Sequence, residues 1–78
     1  MRDVIFEGEK HKISTDGKAF FLYHRADDKW ELRDKNSVDK GAYRDVMKSI
    51  REILSLDVPE EDKILKICGS GFFSVSNL

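Results

Sequence analysis

The stretch Asp16-Gly17-Lys18-Ala19-Phe20-Phe21-Leu22-Tyr23-His24-Arg25-Ala26-Asp27-Asp28-Lys29-Trp30-Glu31-Leu32-Arg33-Asp34 decides the fold of this 78-residue chain. Asp16-Gly17 is a strong hairpin signal, because the primed two-residue turns need positive φ and both residue types tolerate it. An aromatic-rich run follows, as strands favour. After a second turn-like stretch, Ala26-Asp27-Asp28, the segment Lys29–Asp34 alternates apolar and charged residues with period two. Two hairpins in succession predict an antiparallel meander.

Outward from this core, Val4-Ile5-Phe6 and Lys10–Ser14 read as the preceding strands, separated by Glu7-Gly8-Glu9. C-terminal to it, Tyr43, Val46, Met47, Ile50, Ile53 and Leu54 recur at spacings of three and four. They predict one amphipathic helix from about Asp39 to Leu56. Asp39 is the expected N-cap, with its carboxylate on free backbone amides, and Ser37 is the alternative. Val38 and Tyr43 fit a hydrophobic staple. Asp57 to Asp62, around Pro59, ends the helix and could open one further turn. Lys63–Cys68 reads as a strand, Gly69-Ser70-Gly71 as a turn and Phe72–Ser76 as a last strand. The expectation is a single α+β domain over residues 1–78: a meander of about four strands, one helix across one face, then a C-terminal β-hairpin.

A two-residue Asp16-Gly17 loop pairs Thr15 with Lys18 and Ile13 with Phe20. One face then carries Glu9, His11, Ile13, Phe20, Leu22 and His24. The second turn fixes the rest. A three-residue Ala26-Asp27-Asp28 loop brings Trp30 and Leu32 to the Phe20 face and gives one apolar side for the helix. A two-residue Asp27-Asp28 loop instead sets them beside Phe21 and Tyr23. The first choice gives the more consistent amphipathic pattern and is preferred. On it, the outer face holds Lys10, Lys12, Phe21, Tyr23, Arg25, Lys29, Glu31 and Arg33.

Composition narrows the function. A chain this short buries only about 60% of its unfolded surface, which leaves little room for an enclosed catalytic pocket of about 300 Å³ or more. The chain is 40% hydrophobic and 37% charged, a folding composition with a charged surface. The net charge of −1 gives no general nucleic-acid footprint. Any such role must come from local segregation of charge. One cysteine, Cys68, excludes an internal disulfide and suits a reducing compartment. With no signal-like start and no apolar run of about 20 residues, a cytoplasmic location is expected.

The outer face, basic with two aromatics, is the leading candidate. Lys10, Lys12, Phe21, Tyr23, Arg25 and Arg33 are the expected partner-binding residues. Tyr and Arg are enriched at protein hot spots, and aromatics flanked by cations can also stack unpaired bases. The same residues equally suit an ordinary solvated surface. Glu9, His11 and His24 share a face, but their spacing is loose for a metal site and an imidazole there also fits a hydrogen-bonded core position. Cys68, on an apolar strand position, fits an inert thiol rather than a nucleophile. Gly69-Ser70-Gly71 lacks the lysine and spacing of a phosphate loop. Phe72 could recruit a chain at an edge strand or pack beneath a loop. The helix flank bearing Arg44, Lys48 and Arg51 reads as solvated. The expected function is therefore a non-enzymatic protein-binding module without cofactor or metal, a regulator or inhibitor of a host or partner protein. A nucleic-acid-binding domain using the same face is the alternative.

Overall fold

The computed structural model describes residues 3–73. Four strands, β1 (Asp3–Glu7), β2 (His11–Thr15), β3 (Ala19–Ala26) and β4 (Lys29–Ser37), form one antiparallel sheet in the order β1-β2-β3-β4. Two helices follow, α1 (Lys40–Leu54) and α2 (Glu60–Gly69). The meander and the α+β class are as expected from the sequence.

The β2–β3 connection is longer than a two-residue loop. Thr15 pairs with Phe20 and Ile13 with Leu22, two residues out from the expected register. The Asp16 side chain causes the difference: its Oδ1 accepts the N–H groups of Lys18 and Ala19, both at 2.9 Å. Gly17, at φ 91°, supplies the left-handed residue. A slip of two preserves side-chain parity, so Ile13, Phe20 and Leu22 still share the core face.

The β3–β4 connection is the two-residue Asp27-Asp28 loop, with Ala26 opposite Lys29 and Arg25 opposite Trp30. This corrects the three-residue expectation. Asp27 sits at φ 56°, a conformation Asp tolerates better than most residues. A bulge then places Arg33 between the pairs Tyr23–Leu32 and Leu22–Asp34. The extra residue reverses the phase of β4 along its length. Trp30 and Leu32 face outward, whereas Asp34 and Asn36 fall on the inner side. There the Asn36 amide donates to the Phe72 carbonyl at 2.8 Å.

The helix periodicity read from the sequence corresponds to α1. Asp39 stands at its N-cap position, but its carboxylate makes no capping bond. The Asp39 carbonyl instead accepts from Ala42 and Tyr43.

Lys63–Cys68 is helical, which corrects the expected strand and removes the C-terminal hairpin. Pro59 precedes α2 and Glu60, Glu61 and Asp62 fill its first turn, a favourable start for a helix. Ile64 and Ile67, three apart, are the buried residues, while Leu65 is exposed. Phe72 and Phe73 are not in a strand, and the remainder of the expected last strand lies outside the described residues.

Ile13, Phe20 and Leu22 from the sheet meet Ile50, Ile64, Ile67 and Phe73 in one core. Tyr43 stacks on Phe20 with ring centroids 5.1 Å apart, and its hydroxyl lies 3.0 Å from Thr15 Oγ1. Both helices therefore contribute to the same side of the sheet. Among the described residues, no helix is long and apolar enough to cross a membrane.

Candidate functional site

The other side of the sheet carries a cluster of cations on aromatic rings. Strand alternation places Lys12 on β2, Tyr23 and Arg25 on β3, and Trp30 and Leu32 on β4 together on it. The Lys12 ammonium is 4.7 Å from the Tyr23 ring centre and 5.1 Å from that of Trp30. The Arg25 guanidinium carbon lies 4.5 Å from the Trp30 ring centre. These distances fall within cation–π range. Further along the face, Lys35 is 5.8 Å from the Phe21 ring. Leu32, 52% exposed, borders the cluster as an open apolar contact.

Of the six residues expected to bind a partner, Lys12, Tyr23 and Arg25 come together here. Phe21 is on the same side but only 2% exposed, so its ring is not offered to a partner. Arg33 occupies the β4 bulge. Lys10 lies toward the β1–β2 turn, where it lines a pocket with His11 and His24. Lys29 and Glu31 are opposite Ala26 and His24 and so leave the outer face. Trp30, Leu32 and Lys35 join it instead. The missed signal was the Asp27-Asp28 loop, since reading it as two residues brings Trp30 and Leu32 outward at once.

A second constellation ties the β1–β2 turn to α2. Glu60, the first residue of α2, reaches back so that Oε1 accepts the Glu9 N–H at 2.7 Å. Its Oε2 accepts the Lys10 N–H at 2.9 Å and lies 2.7 Å from His11 Nδ1. Burial pushes the Glu60 carboxyl up, but the hydrogen bonds from His11, Lys10 and Glu9 outweigh it and hold the group below its ordinary range. His11 is buried, and its Nε2 has no hydrogen-bond partner among the described residues. The His24 ring stands edge-on to it, with centroids 5.5 Å apart. A pocket of about 220 Å³ opens beside them, lined by Lys10, His11, His24, Glu61, Ile64 and Leu65. Among the described residues, no three His, Cys, Asp or Glu side chains are already gathered around a metal position.

Burial, and to a lesser degree the charge of Asp34, raises the Cys68 thiol. A raised thiol holds less thiolate at neutral pH and is a poorer nucleophile. Comparison with protein-family models, curated proteins and solved structures finds no match for this chain.

Proposed function

We propose that the protein is a non-enzymatic binding module that engages a partner protein through Lys12, Tyr23, Arg25, Trp30 and Leu32. The observation that carries this reading is the placement of Trp30. It lies on the side of the sheet opposite both helices, with Lys12 and Arg25 against its ring and Leu32 beside it. Trp, Tyr and Arg dominate binding hot spots, because a broad apolar surface with a polar handle is ordered at little entropic cost. Glu31 is directed to the other face, and Lys12, Arg25 and Lys35 outnumber Glu7, the partner of Lys12 on β1, so the charge there is positive. The fitting partner surface is acidic with an apolar centre. Such docking suits a regulator or inhibitor that occupies a partner's surface, and the single reduced-type cysteine suits a cytoplasmic setting.

The alternative is a nucleic-acid-binding domain on the same residues. A base stacking on Trp30 must displace or share the ring faces that Lys12 and Arg25 contact, which weighs toward protein.

The test compares the wild type with Trp30→Ala/Arg25→Ala in capture from nuclease-treated and untreated lysate. The identified band is then titrated against both proteins. A purified partner that binds the wild type and is weakened by about 2 kcal/mol or more in the variant supports the reading. Recovery of nucleic acid alone, with affinity falling steeply as salt rises, would favour the alternative. A partner that binds both proteins equally would move the interface elsewhere.

A further inference from the structure

We propose that His11 and His24 form a two-imidazole site for a divalent transition-metal ion of the zinc class, in the pocket between the β2–β3 pair and α2. The two residues are direct cross-strand partners on one face of the sheet. Their ring centroids are 5.5 Å apart, at an interplanar angle of 61°. Two imidazoles bound to one tetrahedral zinc, with Zn–N bonds of about 2.0–2.1 Å, have centroids about 5 Å apart. The pair therefore stands near chelating separation before any ion arrives.

His11 is also oriented as a ligand. Oε2 of Glu60 already accepts the Lys10 N–H and lies 2.7 Å from His11 Nδ1, so in the neutral ring Nδ1 carries the proton and donates. The lone pair is then on Nε2. A carboxylate behind the far nitrogen is the arrangement that fixes the tautomer and raises the basicity of metal-binding histidines. The His11 side chain is only 6% exposed, and its Nε2 has no partner among the described residues. A buried acceptor left in this way is costly unless something occupies it. A metal ion would satisfy it.

Glu61 lines the same pocket and is exposed, so its carboxylate can swing in. Water completes the coordination. Lys10 also lines the pocket, and its positive charge opposes a cation, which makes this a weaker site than a four-ligand structural zinc. Imidazole ligands with one carboxylate suit zinc, nickel and copper rather than calcium or magnesium. The site is separate from the Trp30 face, and its test is independent of any partner.

The experiment titrates the full chain with zinc chloride by calorimetry while following the histidine ring signals by NMR. One ion per chain is expected, with the ring signals of both His11 and His24 moving. His24→Ala, a change at a partly exposed residue, should weaken binding by about tenfold or more while the backbone spectrum remains that of a folded chain. Lys10→Ala should tighten it. A wild type that shows no saturable uptake by about 1 mM zinc, or a folded His24→Ala protein that binds as tightly as the wild type, overturns the proposal.

Discussion

Gly8 and Glu60 are in such close approach that a Cβ on Gly8 would overlap the Glu60 carboxylate at Oε1. The absence of a side chain at Gly8 is what lets the carboxylate reach the Glu9 and Lys10 amides and His11. A free glutamate would swing aside at little cost. This one is held by three hydrogen bonds, so swinging aside forfeits them. Gly8→Ala should therefore destabilise the chain by about 1–3 kcal/mol in urea unfolding, a large share of the stability of so small a domain. A change below about 0.5 kcal/mol would show that the carboxylate contributes little.

The same carboxylate sets an acid limit. Its folded-state titration lies below that of an unconstrained glutamate, so between the two values the unfolded chain binds more protons. The stabilisation is thus complete above the ordinary glutamate range and is lost as pH falls through the lower, folded value. Asp16, held down by the Lys18 and Ala19 amides, has the same sign. Unfolding midpoints of the wild type and Glu60→Gln should differ at about pH 6 and converge toward about pH 3. A constant difference across that range would remove Glu60 titration as the cause.

Trp30 is the only tryptophan in the chain, so its fluorescence reports directly on the outer face. With Lys12 and Arg25 against the ring, iodide should quench it more efficiently than caesium at low ionic strength. Lys12→Ala/Arg25→Ala should reduce the iodide advantage, as should salt, which shortens the reach of surface charge. Equal quenching by the two ions would contradict the arrangement.

Neighbouring substitutions in α2 separate its helical packing from a strand reading. Ile64 is buried at 1% exposure and Leu65 is 56% exposed. Ile64→Ala should cost about 2–4 kcal/mol, whereas Leu65→Ala should stay within about 0.5 kcal/mol. In a strand, Ile67 would share a face with Leu65 instead of Ile64. Comparable losses at both positions would argue against the helix.

The strands and α1 were legible because their signals are local: turn residues at Asp16-Gly17 and Asp27-Asp28, period two in β4, and three–four spacing from Tyr43 to Leu54. The β2–β3 register was off by two because the Asp16 side chain forms part of the turn, a detail that residue type alone does not specify. The faces of Trp30 and Leu32 differ from the expected ones because the β3–β4 loop has two residues rather than three. Beyond Leu32 the bulge at Arg33 changes the phase again, and nothing in the identity of that residue marks a bulge. Lys63–Cys68, with two isoleucines and a leucine, satisfies strand and helix patterns alike over six residues. What favours the helix is the acidic first turn and the docking of Ile64 and Ile67 on the core. Of the candidate face, Lys12, Tyr23 and Arg25 are legible in the sequence, whereas Trp30 and Leu32 depend on the length of the β3–β4 loop. Glu60 was invisible as a binding partner of His11, since the two are 49 positions apart and its neighbours suggest only a solvated acidic run.

That 49-residue span has a consequence for the order in which the chain assembles. The meander closes through successive hairpins whose partners are near in sequence, and short loops close fastest. Glu60 can grip the β1–β2 turn only once that turn exists, so this contact is expected to form late. Contacts made late contribute little to the folding barrier and much to the unfolding barrier. Glu60→Gln should accordingly speed unfolding and leave the folding rate nearly unchanged: the carboxylate governs how long the native state lasts rather than how quickly it is reached.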